Sequence, residues 1–406
     1  MNHAHSVNRR LPVLIAAVLV FVAASRMMRA DTGTCGGQMV MLPFTDVAAN
    51  NIFFCSIAEA YFSGLTNGTS STTYNPSDPV PREQMAAFIT RTQDSAIKRS
   101  NKRAALQHWW TPGDAGVLRS TSITNPAFIT SDGEDVWVTS GGISVKRVHA
   151  SDGKILGTWT GAGGARGIIA AAGRIFIAAS TGSSTPGKIY VINPDAAPGP
   201  VTVFEDDIGI GPFHITFDGV NLWTANHASA LNTGSISRVN IATGVDSTFS
   251  TGFNLTDDIL WDGANLWVTD AGDDQLKRVD PSNGSVLESI PVGVGANRLL
   301  FDGTNIWVSN FTSNSITIVR AMGALRGTVL HTITGNGLSF PQQMAFDGER
   351  VLVGNNNDVV CLFKAADFTP LGSLFTGTQT QPVLLCCDGL NFWISRVTNG
   401  DIVRFD

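Results

Sequence analysis

The chain has 406 residues, of which 43% are hydrophobic, 8% aromatic and 15% charged, so disorder, coiled coil and collagen are excluded and a large core is required. Its 42 glycines and 17 prolines imply many turns between short strands. A formal net charge of -6 removes the broad basic field that nucleic-acid binding uses, which speaks against DNA or RNA as partners.

In chain order, Arg9 and Arg10 precede an apolar run from Leu11 to Ala24 that ends in the small residues Val22-Ala23-Ala24. This is the order of a secretory signal peptide over residues 1–30, with cleavage after Ala24 or Ala30. The alternative is an uncleaved anchor, but the run is short against the ~20 residues that span a bilayer. Asn8-Arg9-Arg10-Leu11 only hints at a twin-arginine signal, since Pro12 follows and the consensus serine is missing. No later stretch reaches spanning length, so the mature protein is expected to be extracytoplasmic and without a membrane span.

Export permits disulfides, and the cysteines are Cys35, Cys55, Cys361, Cys386 and Cys387. Cys35 and Cys55 flank a short helical segment in a small module that gains most from a staple, so this pair is favoured. The other three lie in strand-like apolar sequence, where cysteine usually serves as a buried small hydrophobe. No Cys-x-x-Cys or His spacing suggests zinc, and no metal site is assigned.

Residues 31–99 read as a small helical module. Asp46 is placed to cap a helix with the apolar face Phe54, Ala58, Tyr61, Phe62 and Leu65, ended by Gly64 and Gly68. After a turn-rich stretch, Pro81 opens a second helix carrying Met85, Phe88 and Ile89. Phe44-Thr45-Asp46-Val47, the run Ile57 to Gly68, Tyr74-Asn75-Pro76 and Pro81-Arg82-Glu83-Gln84-Met85-Ala86 together resemble a surface-layer homology (SLH) domain. The resemblance implies binding to cell-wall polysaccharide, with Arg82 at the family's motif arginine and Gly64 at its loop glycine; a guanidinium fork matches glycan carboxylates. One copy is present where the family usually assembles three, so it would trimerise or serve as a packing module, with Arg82 then a surface residue of the helix. A basic linker follows, with four basic residues between Lys98 and Arg103 and its core at 100–103.

Residues 104–406 repeat. The pattern Phe-Asp-Gly-x-Asn-Leu-Trp-Val recurs in variants around Gly133, Gly173, Gly219, Gly263, Gly303, Gly348 and Gly389, a period of about 43 residues. Each repeat reads as four strands; in the third they are Ile215 to Phe217, Leu222 to Ala225, Ile236 to Ile241 and Ser247 to Ser250, with Asp218-Gly219 as a tight hairpin turn. The fold class is therefore mainly β: a seven-bladed β-propeller preceded by the SLH-like module. The last repeat ends at its third strand, so Ala104 to Trp110 is expected to supply the missing fourth and close the ring. The repeat grammar resembles the YVTN/NHL and virginiamycin-lyase-like propellers, a resemblance that implies fold far more than function.

The recurrent tryptophans occupy one register of the second strand and read as core rather than as a sugar-stacking surface. Four residues before each turn aspartate, or its Ala172 equivalent, the inner strands present Phe128, Ile168, His214, Asp258, Arg298, Gln343 and Leu384. The preceding positions are Ala127, Gly167, Phe213, Asp257, Asn297, Gln342 and Val383, so polarity gathers on one side of the channel mouth. Because the second strand runs antiparallel to the first, Asn226, His227, Asp270, Asn310 and Asn355 are expected near the same mouth. The predicted ligand set is His214, Asp258, Arg298, Gln343, His227, Asp270 and Asn310.

The leading expectation is an envelope-attached, non-catalytic propeller that binds a small molecule, glycan or protein, with no cofactor. The alternative is an enzyme, a metal-assisted lyase or hydrolase in which His214 or His227 is the base and Asp257, Asp258 and Asp270 hold a divalent cation. No His-Glu-x-x-His, Gly-x-Ser-x-Gly, phosphate loop or dinucleotide fingerprint is present. Gly161 to Gly167 read as an inter-blade connection and Glu205-Asp206-Asp207 as an acidic surface loop. A purely structural envelope protein is the third reading.

Overall fold

The computed structural model describes residues 32–98 and 119–405, apart from residues 64, 181, 183, 228 and 229. The signal-like segment, Gly64, the basic linker and Ala104 to Trp110 lie outside the described residues. The chain divides into two compact units, Met1–His108 and Trp109–Asp406.

Within the first unit the helices Phe54–Phe62 and Arg82–Lys98 follow a hairpin, Thr32–Cys35 paired with Gln38–Met41, which the sequence reading did not anticipate. Cys35 and Cys55 form the expected disulfide and tie this hairpin to the first helix. Leu42, Phe44, Val47, Phe54, Ile57 and Ala58 make the module's core. Two details differ from expectation. Asp46 caps no helix: its carboxylate accepts the backbone N–H groups of Tyr74 and Asn75 and pins the returning loop. Phe62 is exposed rather than packed, because the helix ends there and its core stripe is carried by Phe54, Ile57 and Ala58. Neither described helix is long and apolar enough to cross a membrane.

The second unit is a seven-bladed propeller of four-stranded antiparallel sheets. In the third blade the strands Pro212–Phe217, Asn221–Asn226, Ser235–Asn240 and Asp246–Phe249 run from axis to rim in sequence order. An N-terminal strand closes the ring, but it is Arg119–Ser122, not Ala104 to Trp110. It pairs with Asp401–Phe405 in the register Arg119↔Arg404 to Ser122↔Asp401. Spacing explains the correction. Rim strands hand over to the next inner strand within a few residues, as Ile155–Thr160 does to Ala165–Ala171, and Ser122 stands in that relation to Pro126.

The Asp-Gly pairs also behave differently from a two-residue hairpin. In the third blade Phe217 pairs with Leu222, so the loop holds four residues. Asp218 Oδ1 accepts the backbone N–H groups of Val220 and Asn221, and its Oδ2 accepts Trp223 Nε1 at 2.7 Å. Glycine is required beside it because Gly219 sits at φ +100°, where a Cβ is strained. The same aspartate-to-indole bond recurs at Trp137, Trp267, Trp307 and Trp393, all fully buried, so these indoles are core with their N–H groups satisfied. Only the second blade, which lacks the aspartate, has the tight turn: Ala172 and Gly173, both at positive φ, lie between paired Ala171 and Arg174.

Opposite four of the tryptophans the third strand carries an arginine, at Arg147, Arg238, Arg278 and Arg404. Three of these rivet one blade to the next: Arg147 donates to the Pro194 carbonyl, Arg238 to those of Pro281 and Ser282, and Arg404 to those of Ala150 and Ser151. Opposite Trp307 stands Ile318, and Phe368 from the following blade packs edge-on against that indole instead. We expect Arg238→Ala, which removes two carbonyl bonds and a cation–π contact 5.7 Å from the Trp223 ring centre, to lower stability by about 1–2 kcal/mol in urea unfolding.

Candidate functional site

The channel wall is built from the inner strands, and nearly every one carries a bulge near its start. Register shifts lie between Pro126 and Ile129, Ala165 and Ile168, Pro212 and His214, Thr256 and Ile259, Ala296 and Leu299, and Pro341 and Met344. A bulge frees a backbone N–H from the ladder, and in the first, fourth and fifth blades, as in the unbulged seventh, a second-strand hydroxyl takes the corresponding N–H. Thr139 accepts from Phe128, Thr269 from Asp258, Ser309 from Arg298 and Ser395 from Leu384. These hydroxyls were missed in the sequence reading, although each lies two residues after a repeat tryptophan.

The bulged strands surround a cavity of about 380 Å³ on the axis, which His214, Asp258 and Gln343 line and which Arg298 and His227 do not. Phe128, Ile168 and Leu384 line one arc; His214, Asp258 and Gln343 line the other. Cys386 and Cys387 also line it, half-buried rather than fully buried, whereas Cys361 is buried in its blade as expected. Burial first, then the nearby Asp388 and Cys387, pushes the Cys386 thiol well above its usual range, so it stays protonated.

His214 Nδ1 lies 2.9 Å from Asp258 Oδ1. The same oxygen accepts the Ile259 N–H, and Oδ2 accepts the Leu299 N–H. Burial works to raise the Asp258 carboxyl. It is outweighed by the charge and hydrogen bond of His214, the charge of Arg298 and the Leu299 N–H, which hold it below the usual carboxylate range. An ionised carboxylate only accepts, so Nδ1 carries the ring proton towards it and Nε2 is the imidazole's remaining position. Arg298 Nη1 bonds Asp257 Oδ1 at 2.5 Å, and its guanidinium carbon lies 5.0 Å from the Phe213 ring centre. His227 Nδ1 donates to the Thr256 carbonyl and stands 3.9 Å from Asp257.

Thus His214, Asp258, Arg298, Gln343 and His227 gather at the mouth, and two predicted members do not. Asp270 is fully buried inside its blade, accepting the Asn254 and Leu255 N–H groups and Lys277 Nζ at 2.6 Å. Asn310 is equally buried and donates to Ser315 and Thr317. Asn226 and Asn355 are buried in the same position of their own blades. Strand direction places all four at the right height, but their side chains staple second strand to third. Among the described residues no cluster of three or more His, Cys, Asp or Glu is arranged to hold a cation.

In the N-terminal module, Asn67, Tyr74, Asn75, Asp78, Gln84 and Phe88 line a groove of about 710 Å³ between the loop and the second helix. Arg82 is exposed in the first turn of that helix.

No protein-family description matches the sequence, and no curated protein matches it. Solved structures do. A hydrazine synthase from Kuenenia stuttgartiensis is similar at 15% identity and a TM-score of 0.58, covering 71% of this chain and 97% of that one. A streptogramin B lyase is similar at 17% identity and a TM-score of 0.57, covering 71% and 96%. The propeller domain of Cps50 (Swd1) from Myceliophteria thermophila gives 11% and 0.58, covering 70% and 97%. What they share is the propeller. At such identities the likeness speaks for the propeller fold alone and leaves function to the site.

Proposed function

We propose that this is an exported, envelope-associated binding protein. Its SLH-like module attaches to cell-wall polysaccharide through Arg82, and its propeller holds a small ligand in the axial cavity against His214, Asp258 and Gln343, with Arg298 at the channel mouth beyond them. One observation carries the propeller reading. Seven buried side-chain nitrogen or oxygen atoms among the described residues lack a hydrogen-bond partner. Four of them, His214 Nε2, Asn297 Oδ1, Arg298 Nε and Gln343 Oε1, belong to the inner strands on one arc of the channel. An unmet buried polar atom costs about 1–3 kcal/mol, and a cluster of them beside a ligand-sized cavity is what a binding site retains. The Cys35–Cys55 disulfide supports an oxidising compartment.

The test is a thermal-shift screen of residues 31–406 against sugars, purified cell-wall glycan and divalent cations, with and without EDTA. A ligand at a hundred times its Kd stabilises by about 2.7 kcal/mol, and the shift is expected to vanish in His214→Gln. Envelope pelleting is expected to be lost in Arg82→Ala and kept in His214→Gln. If no compound shifts the wild type differently from His214→Gln, the channel reading is wrong.

The His214–Asp258 pair supports a second reading, since a carboxylate that orients an imidazole and leaves Nε2 open is the arrangement of a general base. A cation-dependent shift abolished by EDTA would favour that enzyme reading over simple binding.

A further inference from the structure

We infer that the mouth of the propeller carries an oxyanion subsite, formed by Arg166 and Arg298 around the Phe213 ring, which takes a carboxylate or phosphate group of the ligand. The inference rests on the channel-binding reading and gives its ligand a chemical class.

Arg166 lies on the inner strand Ala165–Ala171, and its guanidinium carbon is 5.5 Å from the Phe213 ring centre. Arg298, from the fifth blade, is 5.0 Å from the same centre. Two guanidinium groups thus approach one ring, and of the two only Arg298 has a carboxylate partner, Asp257. Close approach of the blades makes it possible: a Cβ on Gly167 would stand 2.7 Å from the Phe213 carbonyl oxygen.

The acids nearby do not answer both cations. Asp258 accepts from His214 and two backbone N–H groups beside the charge of Arg298, and Asp257 is bonded to Arg298, so neither carboxylate pairs with Arg166. Both carboxylates are buried, whereas Arg166 is exposed and forms no ion pair or hydrogen bond among the described residues. Arg298 Nε is buried without a partner. Of the seven residues that precede the ring positions, only Asp257 is acidic. An approaching ligand therefore meets an unanswered guanidinium on a chain whose net charge is -6. The planar fork of that group matches an oxyanion.

The test is a thermal-shift titration of the full chain with sodium acetate, inorganic phosphate and sodium chloride at constant ionic strength. The expected result is a saturable rise in Tm with acetate, phosphate or both, and none with chloride. Arg166→Gln is expected to weaken that apparent affinity at least tenfold while leaving the ligand-free Tm in place, because its side chain is exposed. A response to acetate alone identifies a carboxylate ligand, and one to phosphate alone a phosphoryl ligand. Equal responses to all three salts, or wild-type affinity in Arg166→Gln, would overturn the subsite. A sugar or glycan shift that still disappears in His214→Gln would then leave the channel reading standing, so the two failures are distinguishable.

Discussion

Asp258→Ala is expected to lower the unfolding free energy of the propeller by about 3–5 kcal/mol at pH 7, the cost of stripping one partner from a buried ion pair. Three groups lose their acceptor at once: His214 Nδ1, the Ile259 N–H and the Leu299 N–H. All of them sit where water does not replace the lost bond, because Asp258 is 4% exposed and His214 8%. Asp258→Asn keeps the volume and an acceptor oxygen but loses the charge, so an intermediate cost is expected. The pH dependence has a definite sign. The folded carboxyl titrates below its ordinary value, so the stabilisation is present above about pH 3.9, the unfolded value, and is lost as pH falls through the folded one. Urea unfolding of wild type and Asp258→Asn should therefore differ most at neutral pH and converge only in strong acid. A constant difference down to pH 3 would contradict this.

Lys277→Thr is the second large effect, expected at about 3–5 kcal/mol by the same logic. Lys277 is 3% exposed and donates to Asp270, Asp273 and the Gly252 carbonyl. Removing it leaves the fully buried Asp270 carboxylate with backbone N–H donors alone. The neighbouring blades show the neutral solution to the same position: Asn226 with Ser237, and Asn310 with Thr317. The double variant Asp270→Asn, Lys277→Thr copies the fifth blade and is expected to recover most of the loss. Chemical denaturation of the two singles and the double gives the coupling directly. A double variant no more stable than Lys277→Thr would show that the charged staple is not interchangeable with the neutral one.

How much of this was visible beforehand follows from what each residue's neighbours are. The seven repeats, the buried tryptophans and the ring from Phe128 to Leu384 were legible, because a fixed count from the turn glycine holds in every blade. The Cys35–Cys55 bond was legible too, since a small module gains most from a staple, although the two cysteines do not flank a helix as expected: Cys55 lies within the first helix, Phe54–Phe62. The closing strand was misplaced because resemblance to other rim strands outweighed the short handover distance, which points to Arg119–Ser122. Asp270 and Asn310 were misassigned because strand direction gives height along the axis and not the side to which a residue turns. Their pairing with Lys277 and Thr317, each seven residues on, was the available signal. The approach of Arg166 and Arg298 to Phe213 and the bonds to Asp258 depend on contacts between different blades, and periodicity within one repeat carries no information about those.

The measurement that tests the central claim most directly is the Nε2 resonance of His214, followed by nitrogen-15 NMR while the protein is titrated with a compound that raises its Tm. The account predicts that this resonance moves and saturates with the same Kd as the thermal shift, because the ligand meets the position of the imidazole that Asp258 leaves open. Saturation of the thermal shift with the His214 signal unmoved would contradict it and place the binding surface elsewhere on the chain.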